Sequence, residues 1–274
     1  MNGLLELQNV TKTFRSGGPW GETVHAVDDV SLSLPDKPTI LSLVGESGSG
    51  KTTLARLILG LLRPTTGHIR VAEHEVSRLR GRQSQLAFMR YAQPIFQNPY
   101  DTFNPLRPVT DTLFETARNL LGISRHDART RVAEALETVG LSLREVEGKY
   151  YGSFSGGQLQ RLSVARALIP NPKLIVADEP VSALDASLRM TVVNLFAKLR
   201  DTHSISFVYV THDLSTAYYI SDHVAIMHHG RIVEAGEANT VLTNPEDAYT
   251  QRLVAAIPQV GVRWDWHDVI KETR

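Results

Sequence analysis

One short segment has the residue types and the spacing of a phosphate-binding loop. The glycines let backbone N–H groups converge on phosphate oxygens, and the N-terminus of a following helix adds partial positive charge. The segment lies between an apolar run and a helical pattern and matches G-x-x-x-x-G-K-[ST]: Gly45-Glu46-Ser47-Gly48-Ser49-Gly50-Lys51-Thr52. The pattern predicts that Lys51 binds the β- and γ-phosphates of a nucleoside triphosphate and that the Thr52 hydroxyl binds Mg²⁺. The alternative is a flexible Gly/Ser loop before an ordinary helix.

Two adjacent carboxylates follow a second apolar run. Asp178 and Glu179 come directly after Leu-Ile-Val-Ala at 174–177 and precede Pro180. Charged groups at the end of a buried strand are costly unless they meet a cation or a polar ligand. In phosphate-loop enzymes the strand-end Asp reaches Mg²⁺, and a Glu next to it on extended backbone points the other way, where it can polarise an attacking water. The alternative is a solvated turn that carries two acids.

A histidine occupies the corresponding position after a third apolar run. His212 follows Phe-Val-Tyr-Val at 207–210 and lies between Thr211 and Asp213. A lone histidine is usually a surface residue, and the chain has nine others. The competing interpretation is that His212 contacts the γ-phosphate. It is based on the position of His212 at the end of a strand and not on the residue type.

A fourth segment predicts a second helix N-terminus that could bind phosphate. Ser155-Gly156-Gly157-Gln158 precedes a helical pattern at 159–168 and fits the capping box Ser-x-x-Gln. The cap does not explain the two glycines, which each cost about 1 kcal/mol relative to alanine in a helix. Glycines at a helix N-terminus leave the backbone N–H groups open to close approach by another molecule, such as a phosphate. We therefore expect both a cap and a surface for phosphate.

The elements that must position these segments alternate between strands and helices, which predicts an α/β fold with a mostly parallel sheet. Periodicity and turn residues predict a helix at 51–62 with Leu54, Leu57, Ile58 and Leu61 on one face, a helix from Ser124 to Gly140, a helix at 187–200 and a hairpin at 223–236. Further strands are predicted at 4–10, 27–34 and 39–44, with a Gly/Ser-rich loop around 16–19 and one helix after about residue 245. Ligands of open α/β sheets bind at the carboxyl ends of the strands. The phosphate loop, the carboxylate pair and His212 are all predicted to lie at such ends.

The bulk composition excludes several classes of protein. The 274 residues suit one large α/β domain or two small ones, and 42% of them are hydrophobic, enough for a substantial core. Lys plus Arg equals Asp plus Glu, 29 against 29, so no strong positive field suggests a nucleic-acid partner. The absence of cysteine excludes disulfides and cysteine-bound metals. The N-terminus does not resemble a signal peptide, and no apolar run approaches the roughly 20 residues that span a bilayer.

Together the segments resemble the motifs of the ABC transporter ATPase family, in the family's order over residues 4–240. The phosphate loop resembles Walker A, residues 174–179 resemble Walker B, and Phe154 to Gln158 resemble the signature L-S-G-G-Q with Phe for the leading Leu. The resemblance implies a Q-loop at Gln97, a D-loop at Ser182-Ala183-Leu184-Asp185 and a switch histidine at His212. It also implies ATP and Mg²⁺ as ligands: Glu179, His212 and Gln97 would be catalytic, Thr52, Gln97 and Asp178 would bind the metal, and Thr53, Asp185 and the adenine-stacking Phe14 would contact nucleotide. An aromatic residue that ends a strand, as Phe14 does, is more often part of a core.

The family implies a P-loop NTPase core with an N-terminal antiparallel β subdomain and an inserted helical subdomain over about 93–165. Residues 1–258 would form the nucleotide-binding domain and 259–274 a C-terminal tail. It also implies a head-to-tail dimer with a second ABC ATPase subunit, in which each ATP lies between the Walker A of one subunit and the signature of the other. The partners would be integral membrane permease subunits and, indirectly, a solute-binding protein, with the chain at the cytoplasmic face of a bacterial inner membrane.

Some segments resemble a narrower group, the dipeptide, oligopeptide and nickel importer ATPases: Gln97-Asn98-Pro99-Tyr100, residues 177–185, and the tail from Asn244 to Pro258. The expected function is therefore ATP hydrolysis that energises import of peptides or similar small solutes through a separate permease. The alternative is an ABC-type ATPase of a phosphonate carbon–phosphorus lyase or another soluble enzyme complex. ABC ATPases of DNA repair or translation need coiled-coil insertions or a second cassette, for which this chain has no room.

Overall fold

Two sheets form the framework of the computed structural model, which describes residues 3–15 and 22–256. The strands are β1 Leu5–Arg15, β2 Thr23–Leu34, β3 Ile40–Val44, β4 Thr66–Val71, β5 His74–Glu75, β6 Ala92–Ile95, β7 Leu174–Asp178, β8 Ser206–Thr211, β9 His223–His228 and β10 Arg231–Glu237. An antiparallel sheet has the order β2-β1-β4-β5, and the larger sheet has the order β10-β9-β3-β8-β7-β6. In the larger sheet only the β9–β10 hairpin is antiparallel. The predicted loop around 16–19 and tail 259–274 lie outside the described residues.

Helices cover the larger sheet and form an insertion between β6 and β7. Their bounds are α1 Lys51–Ile58, α2 Arg82–Tyr91, α3 Val109–Leu121, α4 Arg125–Thr138, α5 Leu143–Val146, α6 Gly156–Leu168, α7 Ala186–His203, α8 Leu214–Ile220, α9 Ala238–Thr243 and α10 Ala248–Ala255. The helices α3 to α6 follow one another without an intervening strand. The arrangement has the three parts of the expected fold: a parallel core, an N-terminal antiparallel sheet and a helical insertion.

The central strands bury both faces, which explains why their sequences are continuously apolar. In β7, Leu174 and Val176 pack in a cluster with α1 and the antiparallel sheet. Ile175 and Ala177, one residue out of phase, pack in another cluster with α6 and α7. Alternation of side chains across a strand therefore links the two sides of the domain through one sheet.

The helix α1 ends four residues earlier than its periodicity predicts. Gly60 adopts a left-handed φ of +66°, its N–H bonds to the Leu57 carbonyl at 3.0 Å, and the Leu61 N–H bonds to the Arg56 carbonyl at 2.9 Å. This pair of bonds is a Schellman motif, which closes the helix at a glycine. The prediction that Leu61 shares one helical face with Leu54, Leu57 and Ile58 is wrong, because the helix ends at Ile58 and Leu61 is 54% exposed.

The predicted helix that starts at Ser124 is confirmed. The Ser124 hydroxyl accepts the Asp127 N–H at 3.1 Å, Val132 and Leu136 are buried, and Gly140 has a left-handed φ of +71° where the helix ends. The predicted hairpin at 223–236 is formed by β9 and β10. Within the described residues, no helix combines the length and the apolar composition that crossing a bilayer requires.

Candidate nucleotide site

The strands β3, β7 and β8 end at the same edge of the larger sheet. Val44 pairs with Thr211, and Asp178 pairs with Val210. The phosphate loop follows β3 and His212 follows β8, while Asp178 is the last residue of β7 and Glu179 follows it. Parallel pairing thus brings together three segments that are more than 30 residues apart in sequence, as the strand positions predict.

The phosphate loop needs glycine at position 50. Gly50 has a φ of +104°, and a Cβ there would lie 2.2 Å from the Ala26 carbonyl oxygen. No L-residue fits both the backbone conformation and this approach. The loop also bonds to the β9–β10 turn, because the Gly230 N–H donates to the Ser49 carbonyl at 3.0 Å. Backbone contacts to two neighbouring segments therefore fix the loop against the sheet.

Lys51 places a buried cation inside the loop. Its Nζ donates to the carbonyls of Gly45 and Glu46, both at 2.7 Å, and to the Ser49 hydroxyl at 3.3 Å. Burial lowers the pKa of Lys51, and the nearby charges of Glu179 and Asp178 act in the opposite direction. A phosphate would offer this ammonium group charged acceptors in place of neutral ones, so the arrangement fits an anionic ligand.

Thr52 and Asp178 form an oxygen-rich pair next to Lys51. The Thr52 hydroxyl donates to Asp178 Oδ1 at 3.1 Å. Burial raises the pKa of Asp178, and the hydrogen bond from Thr52 works against that shift. A hydroxyl and a carboxylate suit Mg²⁺, which binds few protein ligands and completes its coordination with phosphates and waters. These two residues would hold the metal, which when bound would neutralise charge on the phosphate oxygens.

Glu179 is held by two side chains from different segments. His212 Nδ1 lies 3.1 Å from its Oε1, and Gln97 Nε2 donates to its Oε2 at 3.2 Å. The backbone of Glu179 is also unusual, with a φ of +45° and an N–H that bonds to the Val210 carbonyl at 2.9 Å. Positive φ in a non-glycine residue is uncommon and is found at functional sites. Of the three predicted catalytic residues, Gln97 and His212 therefore both contact the third, Glu179.

A cavity of about 860 Å³ joins these groups. Most of the predicted site residues line it: Gly45, Glu46, Ser47, Gly48, Gly50, Lys51, Thr52, Thr53, Gln97, Glu179 and His212. Ser49 and Asp178 do not line it, but Ser49 contacts the lining residue Lys51 and Asp178 contacts the lining residue Thr52. The volume is in the range of pockets that bind small molecules and cofactors.

Other predicted residues lie elsewhere on the chain. Phe14 is 41% exposed, lies outside the cavity lining, and has the Lys12 ammonium 5.2 Å from its ring centroid. Asp185 accepts the Leu188 N–H at 3.0 Å and so caps α7. Neither residue lines the cavity, and their contacts with nucleotide remain predictions.

The signature-like segment also lies outside the cavity and caps α6 as expected. The Ser155 hydroxyl accepts the Gln158 N–H at 3.3 Å, and Gln158 Oε1 accepts the Ser155 N–H at 2.9 Å. Gly157 has a reason within the chain as well, because a Cβ there would lie 3.1 Å from the Leu188 side chain. Gly156 has only ordinary contacts, so it is the glycine whose smallness internal packing does not explain.

The structure adds residues that no motif predicted. Val24, His25 and Ala26 from β2, His229 and Gly230 from the β9–β10 turn, and Leu253 from α10 line the same cavity. None of them has a local signal, because their position depends on how the two sheets and the last helix pack. Parallel strand ends can be recognised in a sequence, whereas the opposite walls of a cavity cannot.

Comparison with known proteins identifies the family. The sequence profile described as "ABC transporter" matches residues 27–182, more than half of the chain. The oligopeptide transport ATP-binding protein OppF of Lactococcus lactis is 41% identical over 241 residues, which are 88% of this chain and 75% of that protein. The chain belongs to the ABC transporter family.

Two further comparisons agree with this membership. The glutathione import ATP-binding protein GsiA of Escherichia coli is 43% identical over 235 residues, which are 86% of this chain and 37% of that protein. The dimeric structure of the ATP-binding cassette MJ0796 in a post-hydrolysis state, bound to ADP and Pi, matches with a TM-score of 0.76 at 28% identity. It covers 85% of this chain and 98% of the other. The chain is an ATP-binding and ATP-hydrolysing subunit of the ABC type, and Mg²⁺ is the metal used by this family.

Proposed function

We propose that this ABC ATPase energises the import of peptides through a separate membrane permease. The assignment of the ATPase site rests on one cluster of side chains. In it Gln97 and His212 hold the Glu179 carboxylate, and Thr52 bonds to the neighbouring Asp178 next to Lys51. The names of the relatives, oligopeptide transport and glutathione import ATP-binding proteins, support peptides as the transported class.

Each residue of the cluster has a proposed role in hydrolysis. Lys51 would bind the β- and γ-phosphates, and Thr52 and Asp178 would hold Mg²⁺. Glu179 would polarise the attacking water, since it lines the cavity and its carboxylate is held by Gln97 and His212. Gln97 and His212 each engage one Glu179 oxygen and would orient the carboxylate and respond to the γ-phosphate. Such orientation lowers the barrier because the groups need no rearrangement during the reaction.

The second half of each ATP site is proposed to come from another ATPase subunit. Ser155 is exposed at the N-terminus of α6 and does not line the cavity that contains Lys51. The exposed N-terminus of α6 would meet the phosphates held by the phosphate loop of a partner subunit. The signature of that partner would in turn complete the cavity described here. The dimeric cassette structure to which this chain is similar supports such an assembly.

A surface with four exposed apolar side chains is proposed to contact the permease. We define it as Phe96, Tyr100, Leu106 and Tyr150; Leu106 is 83% exposed. Large exposed apolar side chains can mark interaction surfaces, and Phe96 adjoins Gln97 in sequence, the residue that binds Glu179. Movement at the γ-phosphate would therefore reach the permease through Gln97. This contact would hold the chain at the cytoplasmic face of the bacterial inner membrane, and a solute-binding protein would be an indirect partner that acts only through the permease.

Import is favoured over the soluble-complex alternative by the relatives reported above, which are named as transport proteins. The chain that co-purifies from the source organism discriminates the two functions directly. A membrane permease supports import, whereas a phosphonate-cleaving enzyme would overturn it.

Uptake of a labelled peptide into proteoliposomes that contain the co-purified complex tests the proposal. Leu106→Asp should reduce ATP-driven uptake at least tenfold while nucleotide binding by the purified chain stays unchanged. The matched control is Leu61→Asp, at an exposed leucine outside this surface, which should leave uptake intact. Equal uptake by both variants would contradict the docking surface, and no uptake of any peptide by the wild-type complex would contradict the solute class.

A further inference from the structure

The helix α10, near the end of the described chain, contacts the phosphate loop through one buried phenol. Tyr249 is 6% exposed, and its hydroxyl accepts the Glu46 N–H at 3.1 Å. Its ring stacks on His228, with 3.8 Å between centroids and 16° between planes. No catalytic motif contains this residue, which is about 200 positions from the loop.

Neighbouring elements determine the position of Tyr249. Asp247 caps α10 by accepting the N–H groups of Tyr249 at 2.8 Å and Thr250 at 3.2 Å. The Glu234 carboxylate of β10 accepts the N–H groups of Glu246 at 2.9 Å and Asp247 at 3.2 Å. The start of α10 is therefore attached to the β9–β10 hairpin, whose turn itself bonds to Ser49.

The bond to Tyr249 acts on a peptide unit that Lys51 also contacts. The Gly45 carbonyl, which accepts from Lys51 at 2.7 Å, and the Glu46 N–H, which donates to Tyr249, belong to the same planar peptide. A phosphate would compete with the loop carbonyls for the protons of Lys51, whereas the bond to Tyr249 does not involve Lys51. When Lys51 turns to a phosphate, Tyr249 still fixes the orientation of this peptide.

Holding this peptide has an energetic consequence for ligand binding. Fixing the backbone of a flexible residue has an entropic cost, and the loop before Lys51 is composed of glycine, serine and one glutamate. A loop already ordered by the protein does not require that cost from the ligand. Leu253, one turn after Tyr249, lines the cavity as well, so α10 contributes to the site at two points.

We propose that Tyr249 is a positioning residue for nucleotide binding, which makes α10 a structural part of the phosphate-binding site. The inference rests on the nucleotide site proposed above. Tyr249 touches the loop backbone and not the reacting atoms, so it acts on binding of the ground state and of the transition state alike. Loss of such uniform binding raises KM and leaves kcat unchanged.

Tyr249→Phe removes the hydroxyl and keeps the stacking ring. In the assembled complex we expect KM for Mg–ATP to rise about two- to tenfold, the effect of one hydrogen bond, with kcat at saturating ATP unchanged. Hydrogen–deuterium exchange of the full chain should show faster exchange in the peptide that contains the Glu46 amide. A role in folding alone would lower the melting temperature without moving either readout, and that result would overturn the inference.

Two controls separate this inference from the site on which it rests. Tyr219→Phe removes an exposed hydroxyl that bonds to Asn194 at 2.8 Å and should leave KM unchanged. Lys51→Ala should abolish binding of a fluorescent ATP analogue. Wild-type affinity in Lys51→Ala would contradict the nucleotide site itself, whereas wild-type KM in Tyr249→Phe together with lost binding in Lys51→Ala would contradict only the role of Tyr249.

Discussion

At the scale of single residues, the site contains two ionisable side chains, Asp178 and Lys51, whose charged forms are opposed by burial in the folded chain. Burial raises the pKa of Asp178 and lowers the pKa of Lys51, so in each case desolvation opposes the charged form. A carboxyl group whose pKa is higher in the folded than in the unfolded chain weakens folding at every pH above the folded value, because its charged form prefers the unfolded chain. These residues fit a function in which ligand and metal supply the missing partners.

Asp178→Asn should separate stability from function. At pH 7 the variant no longer buries a carboxylate, so the melting temperature without nucleotide should rise, by about 2–4 °C for each kcal/mol released. The further rise that Mg–ATP causes in the wild type should disappear, because Asn is a poorer ligand for the metal. Asp201→Asn is the control: the hydrogen bond from Arg200 lowers the pKa of Asp201, so its melting temperature should stay the same or fall. Thermal unfolding with and without Mg–ATP gives both readouts, and a lower melting temperature for Asp178→Asn without ligand would contradict the argument.

Glu179→Gln should keep ATP binding and lose hydrolysis. The amide is nearly the same size, so Lys51, Thr52 and Asp178 stay in place, whereas the group that polarises water is lost, a role worth roughly 10²–10⁴ in rate. Phosphate release by the assembled complex measures the effect, with Glu134→Gln at a surface ion pair as control. If the Gln variant retains a near-wild-type rate, Glu179 is not the base, and this phosphate loop could belong to the silent site of an asymmetric pair.

At the scale of elements, the sequence determined the catalytic edge well because its signals are local. Asp178 and His212 each follow an apolar run, and in a parallel sheet such ends meet at one edge. The contact of Glu179 with His212 fits those positions, whereas Gln97 is indicated only by the resemblance to a family motif. Capping is equally local, and the bonds between Ser155 and Gln158 follow from their spacing.

What the sequence did not reveal depends on packing between distant segments. Leu61 continues a helical period, but the backbone reverses at Gly60 before that residue can be buried. The cavity wall formed by His25 and His229, and the bond from Tyr249 to the loop, require the relative placement of two sheets and a terminal helix. Periodicity within one segment carries no information about that placement.

The N-terminus of α6 is predicted to take part in ATP-dependent association of two subunits. Ser155→Arg, combined with Glu179→Gln, should prevent the ATP-dependent association that Glu179→Gln alone accumulates, because a long cationic side chain would enter the surface that faces the partner's phosphates. Size-exclusion chromatography with Mg–ATP measures association. Ser124→Arg removes the comparable cap of α4 and controls for the loss of a helix cap. Equal association of the Ser155 and Ser124 variants would contradict a role of this helix end in the dimer.

At the scale of the whole molecule, the two proposed phosphate-binding surfaces of one chain, the cavity around Lys51 and the N-terminus of α6, are separate. The cavity around Lys51 lacks the signature-like segment among its lining residues, and the cap of α6 serves that helix within the chain. Balanced charge, 29 basic against 29 acidic residues, gives no strong overall field that would oppose association with a similar chain. A dimer in which each site borrows the other subunit's helix end uses both surfaces of both chains.

The rate of phosphate release as a function of assembly tests this account most directly. The purified chain, shown to be monomeric by light scattering, should bind Mg–ATP and hydrolyse it slowly, because its cavity lacks a partner's signature. Addition of the second ATPase subunit and the permease should raise the rate per site by at least tenfold, and Glu179→Gln should abolish the increase. Full activity in a strictly monomeric sample would contradict the shared site and, with it, the proposal that ATP drives import by closing a dimer.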